Sequence, residues 1–167
     1  MTIALEDPLR VARRAVQAGQ FRQAWDSLAA QPDAVRQSSE WKLLAAMARW
    51  RLGEFGASRA AALEARDGYR GSGDVDGEMR AENVAAAGAF ALGDLTEAER
   101  GFNRALALAD LLSDELMLAR CANNLGNVAF YLGRHPAAAS FYRLAAARFE
   151  RLGFYSGLAE TLINSGI

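Results

Sequence analysis

The sequence is poor in the residues from which disulfides, metal sites and catalytic centres are commonly built. It has one cysteine, Cys121, and one histidine, His135. A single cysteine excludes an intramolecular disulfide, and these two residues alone cannot supply the ligands of a zinc site. Because an isolated titratable group does little chemistry without partners, we interpret Cys121 as a small core residue and His135 as a capping or packing residue. We therefore expect no enzymatic activity and no cofactor.

The sequence also lacks an excess of charge of one sign and lacks long apolar runs. Nineteen Lys and Arg residues stand against twenty Asp and Glu residues, for a net charge of −1. This balance argues against direct nucleic-acid binding, which needs a concentrated positive surface. The most apolar window, residues 84–92, is shorter than the roughly 20 residues of a membrane helix, and no signal peptide is apparent. We expect a cytoplasmic protein without membrane contact.

No alternating strand pattern occurs, whereas helical spacing and alanine-rich segments extend along the chain. We predict helices near residues 8–18, 21–30, 38–52, 54–70, 76–92, 95–112, 114–132, 136–152 and 155–166. Pro8 and Pro136 are placed at first helical positions, and Asp94 with Glu97 fits a capping box.

A repeat organises the chain. Gly53, Gly93 and Gly133 are evenly spaced, and each follows a leucine. The interval from Gly19 to Gly53 is six residues shorter than the interval between the later glycines. Six residues add roughly 9 Å to a helix. We place these additional residues in longer second helices and their exits.

The segment around Gly133 carries a recognisable pattern. Leu125-Gly126 lies in the first predicted helix of its pair, and Ala138, Tyr142 and Ala145 follow in the second. In this pattern the chain resembles the tetratricopeptide repeat family. The resemblance implies an all-α, right-handed superhelical solenoid of about four antiparallel helix pairs plus a terminal helix. We expect one domain, residues 1–167, with repeats near 5–37, 38–77, 78–117 and 118–157 and a partial repeat or capping helix at 158–167.

The resemblance also implies a concave groove lined by the first helices. We predict a partner-binding ladder along it, composed of Arg80, Asn83, Arg120, Asn123, Asn124 and Asn127, with Met47 and Trp50 as an apolar wall. Asparagine carries both a donor and an acceptor for a peptide backbone, and arginine suits a carboxylate. In related repeat proteins, asparagines near the Leu-Gly pair contact peptide. The alternative is that Asn124 and Asn164 bond neighbouring helix ends and that the arginines are solvated.

Two functions remain open from the sequence. The first is a scaffold module that binds an extended peptide or partner segment in its groove, without catalysis. The second is a sensory or regulatory N-terminal segment of a larger bacterial signalling protein, such as a transcription activator or a nucleotide cyclase, that binds a small ligand or an output domain. Similar 40-residue repeats occur in bacterial signalling regulators and in eukaryotic adaptor proteins.

The last predicted helix, 155–167, has an apolar face that includes Leu158, Leu162 and Ile167. This helix is either a cap, the start of a further repeat in a longer chain, or the contact surface of a homo-oligomer.

Overall fold

The computed structural model describes residues 7–166, and this part of the chain consists of helices joined by short connections, without strands. Its ten helices are α1 (Arg10–Gln17), α2 (Phe21–Ala29), α3 (Asp33–Arg36), α4 (Ser39–Arg51), α5 (Phe55–Ser72), α6 (Val75–Ala91), α7 (Leu95–Leu112), α8 (Glu115–Tyr131), α9 (His135–Arg151) and α10 (Tyr155–Ser165). The all-α prediction is confirmed. The short α3 was not predicted. Residues 5–6 of the first predicted repeat, and Ile167, lie outside the described residues.

The helices stack in consecutive pairs. The first helices are α1, α4, α6, α8 and α10, and the second helices are α2, α5, α7 and α9. Each first helix from α4 onward packs against the second helices that flank it in the chain, and neighbouring first helices also contact each other along the stack. This nearest-neighbour arrangement is that of a helical-repeat solenoid, as the sequence predicted.

The recurring Leu-Gly pairs end the first helices. Gly53, Gly93 and Gly133 have φ angles of +82°, +81° and +72°. These angles lie in the left-handed region, which glycine enters without the steric penalty of a Cβ atom. The residue after each glycine then donates its backbone N–H to a carbonyl five residues earlier, as Arg134 does to Ala129 over 2.8 Å. The repeat seen in the sequence is therefore a repeat of one helix end.

Both helices of a pair are longer in the later repeats than in the first. The second helices grow from 9 residues in α2 to 18 in α5 and α7. The first helices also grow, from 13 residues in α4 to 17 in α6 and α8. The prediction of longer second helices is confirmed, whereas the lengthening of the first helices was not predicted.

Aspartates cap the starts of three long helices. Asp94 Oδ1 accepts the backbone N–H of Glu97 at 3.1 Å, which confirms one half of the predicted capping box. Asp74 and Asp114 cap α6 and α8 in the same way. The predicted repeat boundaries after residues 77, 117 and 157 consequently fall inside the first turns of α6, α8 and α10.

Neither of the two prolines is the first residue of its helix. Helix α1 begins at Arg10, two residues after Pro8, and Asp7 Oδ1 instead accepts the N–H of Leu9 at 3.0 Å. Helix α9 begins at His135, so that Pro136 is its second residue. Both first-position assignments were wrong, because a neighbouring residue starts the helix.

The Leu125-Gly126 pair is where α8 and α9 approach closely. A Cβ atom on Gly126 would lie 2.6 Å from Cε1 of Tyr142. Leu125, Tyr142 and Ala145 are all buried. Gly126 therefore leaves the space in which the Tyr142 ring packs against α8.

Candidate functional site

One side of the first helices carries most of the predicted site residues. On α8, the residues at 120, 123, 127, 130 and 131 recur at intervals that place them on one helical face. We call this the groove face, and it comprises Arg120, Asn123, Asn127, Phe130 and Tyr131 on α8, Arg80, Asn83 and Phe90 on α6, and Met47 and Trp50 on α4. The predicted ladder is thus brought onto neighbouring helices, with Asn124 at its edge.

Asparagine side chains connect successive first helices. Asn124 Nδ2 of α8 donates to Asn83 Oδ1 of α6 at 3.3 Å. Asn164 Nδ2 of α10 donates to Asn123 Oδ1 of α8 at the same distance. These bonds agree with the alternative interpretation of Asn124 and Asn164, because both residues link neighbouring helices.

Three of the ladder asparagines, Asn83, Asn123 and Asn127, have only their amide donors left for a ligand. The oxygens of Asn83 and Asn123 accept the bonds just described, and Asn127 Oδ1 accepts the Tyr142 hydroxyl at 2.8 Å. Within residues 7–166, the amide N–H groups of Asn83, Asn123 and Asn127 meet no acceptor. Asn83 and Asn127 are half-buried, whereas Asn123 is only 5% exposed. Asn83 and Asn127 are therefore the accessible donors, and Asn123 is mainly a link between helices.

The two groove-face arginines differ in their surroundings. Arg80 forms an ion pair with Asp76, one turn earlier on α6, at 3.0 Å. The Arg120 guanidinium lies 5.6 Å from the centre of the Phe154 ring and pairs with no carboxylate of the described chain. Desolvation by neighbouring residues lowers the pKa of Arg120, although its side chain is exposed. Arg120 is thus the arginine available to an anionic group.

An aromatic surface borders the C-terminal ends of these helices, and the site prediction missed it. Tyr131 meets Phe90 of α6 at 5.4 Å and Phe130 at 5.8 Å between ring centres. Phe130 is 50% exposed and Tyr131 is 68% exposed. We call Phe90, Phe130 and Tyr131 the aromatic ledge. Its sequence signal was present, because Trp50, Phe90 and Phe130 occupy the same position in three successive repeats.

Met47 and Trp50 contribute less surface than predicted. Met47 is half-buried against Leu43 and its neighbours. Trp50 is also half-buried, with its ring 6.2 Å from Phe55 and 5.1 Å from the guanidinium of Arg51. Both side chains therefore contact neighbouring residues at the α4 end of the groove face and expose only part of their surface.

The described residues offer little for catalysis or metal binding. Cys121 is fully buried, and burial raises the pKa of its thiol to about 12, so the reactive thiolate is scarce at neutral pH. The His135 ring packs edge-on against Phe130 at 5.4 Å. Residues 7–166 contain no cluster of three His, Cys, Asp or Glu side chains suited to a metal ion. Across the same range, no helix combines the length and apolarity needed to cross a membrane.

The outer face of α9 and α10 is open. A cavity of about 460 Å³ lies between these helices, with Tyr142 and Leu162 among its lining residues. Ile163 on α10 is 78% exposed, although Asn123, its equivalent on α8, is buried. Self-association through this face stays a prediction.

Comparison with known proteins agrees with the fold. Residues 77–151 match the family model described as tetratricopeptide repeat. Similar solved structures include a Rap protein complexed with Competence and Sporulation Factor, with a TM-score of 0.73 and 18% identity over 92% of this chain and 50% of that one. The apo form of RapI gives a TM-score of 0.70 and 16% identity over 92% of this chain and 45% of that one.

A third similar structure is BtubC (BKLC) from P. vanneervenii, with a TM-score of 0.64 and 23% identity over 98% of this chain and 65% of that one. The chain therefore spans about half the length of the two Rap structures. None of the curated proteins compared with the chain matches it.

Proposed function

Because residues 77–151 are tetratricopeptide repeats, we propose that the chain is a protein-interaction module whose groove face binds an extended peptide or partner segment without catalysis. The observation that carries this proposal is the set of unused donors on one face. Arg120 has no carboxylate partner among the described residues, and the amide N–H groups of Asn83 and Asn127 meet no acceptor there. A polypeptide supplies the matching groups, which are backbone carbonyls and carboxylates.

The structural relatives support this choice. One of the similar structures is a Rap protein in complex with Competence and Sporulation Factor, so a solenoid of related fold binds a factor in that case. The net charge of this chain is close to zero, which favours a protein partner over nucleic acid because nucleic-acid binding needs a positive surface.

A selection experiment tests the proposal. The purified chain would be immobilised and used to enrich binders from a displayed library of random 12-residue peptides. The enriched peptides would be labelled with fluorescein, and their dissociation constants measured by anisotropy. We expect Arg120→Ala to weaken binding about tenfold or more, because a hydrogen bond to a charged group contributes roughly 1.5–3 kcal/mol.

Arg143→Ala is the matched control. Arg143 is an exposed arginine on α9, outside the groove face, and among the described residues its guanidinium donates only to the Ser140 hydroxyl, at 3.3 Å. Binding to this variant should equal that of the wild type. If no peptide is enriched, or if Arg120→Ala binds as tightly as Arg143→Ala, the groove assignment is wrong.

A second candidate is a sensory or regulatory segment of a larger signalling protein, with an output domain of the transcription-activator or nucleotide-cyclase kind. The coverage of the Rap structures favours it, since this chain spans only about half of each. Reading the gene beyond codon 167 tests this candidate. An open reading frame that encodes an output domain is expected, and a stop codon directly after Ile167 would remove its main support.

A further inference from the structure

The groove face presents two different chemistries along the axis of α8. Arg120, a cation without an ion pair in the described chain, lies in the first half of the helix. Phe130 and Tyr131 lie at its C-terminal end, largely exposed. Asn127 lies between them on the same face, with an unused amide donor. A partner that follows α8 therefore meets a cation, then an amide donor, then an aromatic surface.

The separation of these groups sets the spacing of complementary groups in a partner. Ten residues separate Arg120 from Phe130, which corresponds to about 15 Å along an α-helix at 1.5 Å per residue. An extended peptide advances about 3.3 Å per residue, so four residues span about 13 Å and five span about 17 Å. Side chains of an extended chain alternate between two sides. Two side chains that both face the groove are therefore an even number of residues apart, and four is the even number closest to the distance.

The character of each partner side chain follows from the surface that it meets. An aspartate or glutamate complements Arg120, since guanidinium and carboxylate form charge-assisted hydrogen bonds. The ledge is built from Phe90, Phe130 and Tyr131 and contains no carboxylate. A large apolar or aromatic side chain gains most there, because its stabilisation scales with the apolar area that is removed from water.

We infer that the groove recognises an extended segment with an acidic residue at Arg120 and a large apolar residue, four positions away, on the aromatic ledge. This inference rests on the proposed function, since it specifies the partner of the same groove. Asn127 donates to a carbonyl of the intervening residues. The segment runs along α8, and its direction is decided by which of the two side chains comes first.

Synthetic peptides with fixed spacing test the inference. Fluorescein-labelled 12-residue peptides would carry Asp and Phe, in both orders, separated by two, three or four residues of Gly-Ser filler, and an additional peptide would carry Lys in place of Phe. Anisotropy titrations against the full chain give the affinities. We expect the peptide with three intervening residues, in one of the two orders, to bind about tenfold tighter than all the others.

Variants of the chain separate the ledge from the rest of the groove. Tyr131→Ala should weaken the best peptide about tenfold and should abolish the preference for spacing. Tyr155→Ala is the control, because Tyr155 is 73% exposed at the start of α10 and lies away from the groove face. Circular dichroism should show that both variants keep the helical spectrum, since each replaced ring is mostly in solvent.

The outcomes distinguish this inference from the proposed function. If peptides from the random library bind through Arg120 but show no dependence on spacing or on Tyr131, the groove function stands and this inference is overturned. Equal or tighter binding of the Lys peptide would also overturn it, as would the absence of binding by every fixed-spacing peptide. If the random library gives no binder at all, both fail.

Discussion

Two consecutive junctions of this solenoid occupy equivalent positions in neighbouring repeats and are held together by different chemistry. At the first junction, the buried carboxylate of Glu82 on α6 lies between Arg66 of α5 and Arg104 of α7. The distances are 3.6 Å to Arg66 Nη1 and 2.6 Å to Arg104 Nη2, and Glu82 is 1% exposed. We call these three residues the charged triad.

At the second junction the equivalent positions are Leu106, Ala122 and Leu144. Ala122 is buried in an apolar cluster with Ala145 and Phe149, and Leu106 packs against clusters of neighbouring apolar residues. Equivalent positions of the solenoid therefore hold ion pairs at one junction and apolar side chains at the next. The repeat fixes where helices meet, and the residues at that place decide how they adhere.

The largest predicted effect comes from breaking the charged triad. Glu82→Ala removes the buried carboxylate that Arg66 and Arg104 share, and leaves Asp67 and Glu97 as their remaining carboxylate partners. We expect a loss of about 3 kcal/mol in the free energy of unfolding, which is the lower end of the range for removing one partner of a buried ion pair, because each arginine retains another carboxylate. Urea denaturation followed by circular dichroism gives this value.

The triple variant Arg66→Leu, Glu82→Ala and Arg104→Leu converts the first junction to the residues of the second. Replacing a buried ion triad by apolar residues is often neutral or stabilising by about 1–4 kcal/mol, and the carboxylates left by this triple variant, Asp67 and Glu97, are not fully buried. We therefore expect the triple variant to be at least as stable as the wild type. A triple variant less stable than Glu82→Ala would show that the two junctions are not interchangeable.

A smaller effect is predicted at two glycines where the helices of a pair approach closely. A Cβ atom on Gly101 would lie 2.7 Å from the Cβ atom of Ala86, and one on Gly126 would lie 2.6 Å from the Tyr142 ring. We expect Gly101→Ala to cost about 2 kcal/mol, because two short side chains can separate only if the helices move. Gly126→Ala should cost less, about 1 kcal/mol, since a ring can turn.

Thermal unfolding of the two alanine variants provides the comparison. Gly71→Ala serves as the control, because it lies in α5 with no atom within 4 Å of an added Cβ. This control should be neutral or slightly stabilised, as alanine is the better helix former. A Gly126 variant more destabilised than the Gly101 variant would contradict the expected order.

The smallest effect is predicted for surface ion pairs between second helices. Arg59 of α5 pairs with Asp94 at 3.8 Å, and one repeat later Glu99 of α7 pairs with Arg134 at 2.6 Å, with the signs reversed. Exchanging the charges of the first pair, by Arg59→Glu with Asp94→Arg, should change stability by less than about 1 kcal/mol, because the second pair shows that this order is tolerated. The loss of the Asp94 cap accounts for part of that change.

Salt titration of the melting temperature checks that prediction. The wild type and the exchanged variant should respond equally to added salt, because both carry one exposed pair at this position. A single Arg59→Glu variant, which places two acidic groups together, is the comparison and should be the least stable of the three at low salt.

The sequence predicted the parts of the fold that depend on local spacing. Most helix positions and the recurrence of the Leu-Gly pairs follow from patterns within one helix pair. The same local view missed α3 and the longer first helices, and shifted both proline positions by one or two residues. Helix ends depend on which neighbouring group accepts or donates the last hydrogen bond, as Asp7 and Leu9 show.

The site residues were brought onto one face as the spacing predicted, but their partners lay in other repeats. Asn83 and Asn124, or Arg104 and Glu82, are far apart along the chain, and their contacts depend on how one helix pair is offset against the next. The aromatic ledge has the same origin, since Phe90 meets Tyr131 rather than its equivalent Phe130 across two first helices.

The sequence alone thus determined the repeat, its helices and the face that could bind a partner, because helical periodicity and glycine turns are local properties of the chain. The tertiary structure decided which groups on that face remain free. It assigned the asparagine oxygens to neighbouring helices, left Arg120 without an ion pair among the described residues and buried Glu82 between two arginines. Hydrogen bonds and ion pairs between repeats require a fixed offset of the stacked helices, and that offset results from packing of the whole solenoid.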